Sequence, residues 1–437
     1  MRIHKLCLRL RTYPRTTPAA SGGPARPNCR RAFGPVLIGI GLSVAVLLAS
    51  AMGVMASETA APATEKTFSF PAAGLTFDAE FPGAHLDDCT PTGEGQYRVL
   101  IRPETTPINN SAWYAFRVRS AAPQTIEVEL VYQGGGHRYR PKFSRDGKSW
   151  TALTGESYRQ DKDRPPRLRL EVGPAPLWVA GQELLTSEDL YRWARQVATA
   201  TEAAESVLGQ SVGGRPLRMW RLGSDSHAPL VVIVGRQHPP EVTGSLALMA
   251  FVDTLAADSD TARRFRQHFA LLLVPLMNPD GVESGNWRCN LNRVDLNRDW
   301  ERFIQPETRA VRDEIQRLAS TGQSPCLLLD FHSTGHDVFY TQRDSDQTVP
   351  EDFTRRWLGA VQERLPEYQL RREGSHGGKQ ATSKRWGYAT YRIPAITYEV
   401  GDNTDRALIR TVARAAAEEM MRILLNDAAD GRLSPTR

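Results

Sequence analysis

Leu230-Val231-Val232-Ile233-Val234 is an uninterrupted apolar run, and beyond Gly235-Arg236-Gln237 the chain reads His238-Pro239-Pro240-Glu241. No polar residue interrupts the run. A strand apolar on both faces belongs to a sheet covered by helices on both sides. Two further runs behave the same way, Leu271-Leu272-Leu273-Val274 and Leu327-Leu328-Leu329, and residues 395–400 read as a fourth such strand that carries Thr397 and Glu399. Helical patterns lie between and after them, at residues 245–255, 306–319 and 407–425, and Ser187 is placed to cap an earlier helix through Tyr191, Trp193 and Val197. These features predict an α/β domain over residues 186–427, with a mixed, largely parallel sheet covered by helices, and a short tail at 428–437.

Each apolar run delivers polar residues at its C-terminal end. The first leads to His238 and Glu241, and the second to Asn278-Pro279-Asp280-Gly281 and then Arg288, Asn297 and Arg298. The third leads to Asp330-Phe331-His332, and the last delivers Glu399. Ligands of open α/β sheets bind at the carboxyl ends of the strands, so these residues are expected at one crevice. The spacing of His238 and Glu241 lets an imidazole and a carboxylate converge on one side of a turn, with His332 as third donor. Two neutral imidazoles and one carboxylate leave zinc an open fourth position, the pattern of a catalytic rather than a structural site.

Residues 66–178 read differently. Ile126-Glu127-Val128-Glu129-Leu130 and Arg167-Leu168-Arg169-Leu170-Glu171-Val172 alternate apolar and charged, Trp113 to Val118 is an aromatic strand, and Ser144-Arg145-Asp146-Gly147-Lys148 is a turn. Short strands separated by turns predict a small all-β sandwich of antiparallel strands ahead of the α/β domain. Gly173-Pro174-Ala175-Pro176 is expected to link the two.

The 437 residues carry a formal net charge of +6. Eight basic residues and no acid lie in residues 1–56; without them the charge becomes −2, which removes the general argument for a nucleic-acid partner. That basic segment precedes an uncharged run over residues 32–56 that ends Val54-Met55-Ala56. Basic flank, apolar stretch and small-residue site predict export to the periplasm or beyond, either through a cleaved signal or with residues 32–56 retained as a membrane anchor; Arg30-Arg31 hints at a twin-arginine signal. Of five cysteines, Cys89, Cys289 and Cys326 follow this segment, with no CxxC pair; buried free thiols are expected.

The ordered set of Gly235 through Glu241, Asn278-Pro279-Asp280-Gly281, Asp295-Leu296-Asn297-Arg298, His332-Ser333 and Thr397-Tyr398-Glu399 resembles the zinc carboxypeptidases of peptidase family M14. Gly285-Asn286-Trp287-Arg288-Cys289 and the aromatic strand at 113–118 resemble its cytosolic-carboxypeptidase branch, whose members carry an N-terminal β-sandwich. The resemblance covers roughly residues 70–425. It implies one zinc ion on His238, Glu241 and His332, with Asp295 orienting a ligand histidine. Glu399 is implied as general base and Arg288 as the stabiliser of the developing oxyanion. Asn297 and Arg298 would grip the terminal carboxylate, and peptide or protein C-termini would be the substrates. The family's mobile tyrosine is missing: the count from Glu399 lands on Gly377, leaving His376, Tyr388 or Tyr391 as replacements. The same count puts Lys384 at the floor of the pocket for the departing side chain, which implies a preference for acidic C-terminal residues; a shift of one or two residues would substitute Ser383 or Arg385. Cleavage of cell-wall stem peptides, deacylation of N-acyl amino acids, and an inactive binding module are the competing readings.

Overall fold

The computed structural model describes residues 66–224, 227–374 and 379–433. The expected export segment, residues 1–56, lies outside them, as do His376 and Gly377. The described residues form one compact unit.

The chain enters through a sandwich of two sheets. One has six strands in the order Thr67–Phe70, Leu75–Asp78, Ala115–Ser120, Leu177–Ala180, Lys142–Ser144, Thr151–Ala152. The other has five, in the order Asp88–Gly93, Gln96–Ile101, Gln124–Tyr132, Arg167–Val172, Tyr158–Arg159. The predicted alternation is realised: Ile126, Val128, Leu130, Leu168 and Leu170 turn inward to one core with Phe77, Phe116 and Val179. Pairing is antiparallel except between Gln96–Ile101 and Gln124–Tyr132, which run parallel. The predicted turn forms around Asp146, whose Oδ1 accepts from the amides of Lys148 and Ser149 at 2.8 and 2.7 Å, while Gly147 takes a φ of +70°. One expectation fails. Gly173 to Pro176 is not the link between domains but a crossing from one sheet of the sandwich to the other, because Leu177, Val179 and Ala180 are apolar enough to form a further buried strand.

The second sheet system has eight strands in the order Ala204–Gln210, Pro216–Gly223, Ala270–Val274, Leu230–Gly235, Pro325–Thr334, Ala395–Gly401, Val338–Thr341, Arg372–Gly374. The four strands at its centre are mutually parallel, as the four apolar runs predict. Their side chains alternate between two cores. Val231, Ile233, Leu271, Leu273, Leu327 and Leu329 face helices Ser187–Thr201, Val242–Ala256, Phe353–Arg364 and Arg406–Ala429. Leu230, Val232, Val234, Leu272 and Leu328 face helices Pro306–Ser320 and Ser383–Tyr391. The first helix is capped by Thr186 rather than Ser187: Thr186 and Asp189 form a reciprocal pair, the side chain of each accepting from the backbone amide of the other.

The sequence places the start of helix Val242–Ala256 against strand Pro325–Thr334 through Gly244. A Cβ there would stand 2.4 Å from the carbonyl oxygen of His332. Only glycine permits that approach, which Ser333 Oγ completes by accepting from the Gly244 amide at 2.8 Å.

Candidate active site

Three elements meet at the carboxyl end of the parallel strands. After Gly235 the chain turns at Arg236, whose φ is +53°, and the following loop presents His238 and Glu241 just before helix Val242–Ala256. The neighbouring strand presents His332. One strand further on, Glu399 lies in register with His332.

His238, Glu241 and His332 are buried, with donor atoms all within 4.8 Å of one another. Glu241 bridges the two rings: Oε1 is 2.8 Å from His238 Nδ1, and Oε2 is 2.7 Å from His332 Nδ1. The two Nδ1 atoms are 3.2 Å apart. Each outward ring nitrogen faces another carboxylate: His238 Nε2 lies 2.9 Å from Asp295 Oδ1, and His332 Nε2 lies 2.9 Å from Asp330 Oδ1. A carboxylate behind Nε2 keeps the proton there and turns the Nδ1 lone pair inward, the arrangement of metal-ligating histidines. Burial works against charge on Glu241, but His238 and His332 outweigh it and hold the carboxyl well below its usual range. Burial likewise works against a charged His332, yet Asp330 and Glu241 hold it well above the usual imidazole range. The centre thus attracts positive charge, and its two imidazoles and one carboxylate suit zinc.

Asp295 does two things. Its Oδ1 holds His238, and its Oδ2 accepts from Arg288 Nε at 2.6 Å. Asn297 donates its own amide to Asp295 Oδ1 at 2.9 Å and accepts from the Ser383 amide at 3.0 Å, which fixes the start of helix Ser383–Tyr391. Lys384, the next residue, is buried and donates to the Thr341 carbonyl at 3.3 Å. Burial pushes its ammonium down to about 8, against the opposing pull of Asp346. Burial pushes the Glu399 carboxyl up to about 7, against the pull of His332. Among the described residues, Glu399 Oε2 has no hydrogen-bond partner.

One cavity of about 350 Å³ is lined by His238, Glu241, His332, Arg288, Asn297, Arg298, Lys384 and Glu399. Of the residues expected at the crevice, Asn278 to Gly281, Asp330 and Phe331 do not line it, and Asp295 stands directly behind it. Tyr388 and Tyr391 do not reach it; they line a separate cavity of about 830 Å³. That cavity and another of about 550 Å³ are larger, but among the described residues the convergent donor set is His238, Glu241 and His332. Tyr340 does line the site, its phenol pushed up to about 12 by burial and then by Glu399.

Several residues of the site take roles that the sequence reading does not assign. Asp330 was legible in principle: it lies two residues before His332, on the same face of one strand. Its Oδ2 accepts from Gln237 Nε2 at 2.6 Å and from Ser383 Oγ, and Gln237 in turn accepts from Trp300 Nε1 at 2.9 Å. Asn109, Asn110, Ser111 and Arg138 line the cavity from the sandwich. Arg138 Nε donates to Asp402 Oδ2 at 2.8 Å, and its Nη atoms reach Ser111 Oγ and the Ser333 carbonyl at 2.9 and 3.2 Å. Nothing in the sequence near Arg138 signals this.

Fold and site together define a metallocarboxypeptidase. Residues 190–421 match the zinc carboxypeptidase family, peptidase family M14, and the chain belongs to it. Curated relatives include cytosolic carboxypeptidase 4 of Homo sapiens, 34% identical over 147 residues, which are 30% of this chain and 13% of that protein. Cytosolic carboxypeptidase 6 of Mus musculus is 27% identical over 294 residues, 60% of this chain and 53% of that protein. The chain thus spans about half of the second and far less of the first. Among solved structures, a metallo-carboxypeptidase from Burkholderia cenocepacia is similar with a TM-score of 0.67 at 20% identity, over 81% of this chain and 99% of that one. A metallo-carboxypeptidase from Pseudomonas aeruginosa in complex with (2-guanidinoethylmercapto)succinic acid has a TM-score of 0.65 at 23% identity, over 80% and 99%.

The expectation of export is corrected by these relatives, which are named as cytosolic proteins. Residues 32–56, the expected signal or anchor, lie outside the described residues, and among the described residues no helix is long and apolar enough to cross a membrane. A basic flank before an apolar run is a compositional signature, and here it does not carry the localisation.

The purified protein is expected to hold about one zinc per chain. His238→Ala or His332→Ala should abolish binding, and Asp295→Asn should weaken it by about 10- to 100-fold. Metal analysis with full zinc retained in both histidine variants would refute the ligand set.

Proposed function

We propose that the chain is a zinc-dependent exopeptidase that hydrolyses the C-terminal peptide bond and prefers an acidic departing residue. One observation supports this above the others. A half-buried residue, Glu399, shares a single cavity with the His–Glu–His centre and with Arg288, Arg298 and Lys384. A bound zinc ion would lower the pKa of a water and polarise the scissile carbonyl.

The remaining work falls to side chains. Glu399, raised to about 7, is tuned to take the proton from the attacking water near neutral pH and return it to the departing amine. Arg288, held at Nε by Asp295, faces the charge that develops on the carbonyl oxygen. Arg298 and Asn297 receive the free terminal carboxylate, which a guanidinium can grip through two parallel hydrogen bonds. Lys384 receives the side chain of the last residue. The cell-wall reading rested on export and is set aside with it.

Peptides with a free C-terminus should be cleaved, and amidation of the same peptides should nearly abolish cleavage; equal rates would refute exopeptidase action. Glu399→Gln should lower turnover by about 10²–10⁴ with zinc retained, because the amide cannot accept the proton.

Specificity should follow the charge of Lys384. The wild type should favour peptides ending in Glu over Leu or Lys, and Lys384→Glu should reverse that order. An ammonium with a pKa of about 8 is charged below that pH and neutral above it. The Glu-over-Leu ratio of kcat/KM, which reports the free enzyme, should therefore fall as pH rises through about 8. A ratio flat from pH 6.5 to 9.5, or one that Lys384→Glu leaves untouched, would exclude Lys384 from the pocket.

A further inference from the structure

We infer that Glu104, a residue of the β-sandwich, is a positioning residue that sets Arg288 for catalysis. The inference rests on the role proposed above for Arg288. The carboxylate of Glu104 accepts from three consecutive backbone amides of the catalytic chain. Oε2 takes the Trp287 amide at 2.8 Å, and Oε1 takes those of Arg288 and Cys289 at 2.9 and 2.6 Å. Hydrogen bonds to an ionised acceptor are about twice as strong as neutral ones. Three of them on successive peptide planes fix the backbone from which the arginine projects.

The same segment is anchored to the sandwich by other means. Trp287 is fully buried and packs into the sandwich core with Trp113, Tyr114 and Ile101. Gly285, at a φ of +66°, brings the chain so close that a Cβ would stand 2.5 Å from the Ala84 carbonyl oxygen. Docking and orientation are therefore carried by different groups. Trp287 and Gly285 attach the segment, and Glu104 sets the peptide planes at Arg288. The side chain of Arg288 is then held at its far end by Asp295. Asp295 does not depend on Glu104 for its own place, since it also accepts from Asn297 and holds His238. Removing Glu104 should thus release one end of Arg288 and leave the metal ligands where they are.

The test is a double-mutant cycle of Glu104→Ala and Arg288→Ala on the zinc-loaded full chain, with kcat, KM and zinc content measured on a peptide ending in Glu. Displacement of a transition-state contact by about 1 Å costs on the order of 10²-fold, so Glu104→Ala should lower kcat by about 10- to 100-fold with KM changed far less. In the Arg288→Ala background the same substitution should cost less than about twofold, because residues acting through one contact are not additive. Zinc content should equal that of the wild type. Glu104→Gln retains one oxygen for the Arg288 and Cys289 amides but turns an NH₂ toward Trp287, so its kcat should lie between wild type and Glu104→Ala. If the alanine variant does not fold, the cycle is read with glutamine. An unchanged kcat on removing Glu104, an equal loss in both backgrounds, or a loss matched by lost zinc overturns the proposal while leaving the role of Arg288 intact. Near wild-type kcat in Arg288→Ala overturns that role, and the positioning proposal with it.

Discussion

The architecture depends on holding one carboxylate, Glu241, between two buried imidazoles. Isolated charges buried in a protein cost several kcal/mol each unless they are paired and hydrogen-bonded. Here a further carboxylate stands behind each ring of the centre. Asp295 stands behind His238 and Asp330 behind His332. Gln237, Ser383 and Trp300 extend the chain of polar contacts outward until it reaches the core under helix Ser383–Tyr391. Glu241, Asp295, Asp330 and Glu399 gather around two imidazoles, and Arg288 meets part of that negative charge at Asp295. The parallel sheet supplies the geometry. Adjacent strands in register put His332 beside Glu399, and the close approach at Gly244 brings the helix that follows Glu241 against the His332 backbone.

The sandwich is part of the same solution. Arg138 spans from Ser111 to Asp402 and Ser333, next to a metal ligand. Arg406 of the last helix pairs with Glu183 at 2.8 Å and reaches Gln182, to which Lys142 of the sandwich also donates. Lys142 and Gln182 are buried at this junction, and Glu183 and Arg406 are partly buried. Its consequence is a cavity walled by both parts, with Asn109, Asn110 and Ser111 on one side and the zinc-family residues on the other.

The parts of this that a sequence reveals are those with a local period or a fixed offset. The runs at 230–234 and 271–274 read as buried strands because every position is apolar, and the structure sends alternate residues to two cores. The site residues read as a set because each follows a strand end. Asp330 was within reach of the same logic. Gly173 to Pro176 was misread because a Gly-Pro stretch looks the same whether it joins two domains or two sheets of one sandwich. Residues 1–56 were misread for a related reason: composition alone carried the assignment of export. Arg138 and Glu104 were beyond reach altogether. They meet Asp402 and Arg288 across 264 and 184 residues of chain, and no local pattern encodes such a pairing.

Asp295 is where the two halves of the problem join. One oxygen fixes the ring of a metal ligand and the other fixes Arg288. The His238 ring and the Arg288 guanidinium are therefore held in fixed relation by a single carboxylate. A short rigid bridge of this kind preorganises charge: neither group has to reorient as the carbonyl oxygen gains its electron pair, and preorganised donors are worth most in a buried site. The bridge constrains only one end of the arginine, however. Its backbone end belongs to a segment, Gly285 to Cys289, that packs on the sandwich and not on the sheet. Rigidity at the guanidinium thus requires rigidity of the sandwich against the sheet, which the Arg138–Asp402 pair and the buried Lys142–Gln182–Arg406 junction supply. On the role proposed for Arg288, the attached β-sandwich holds the backbone half of that arginine, which the sheet does not reach.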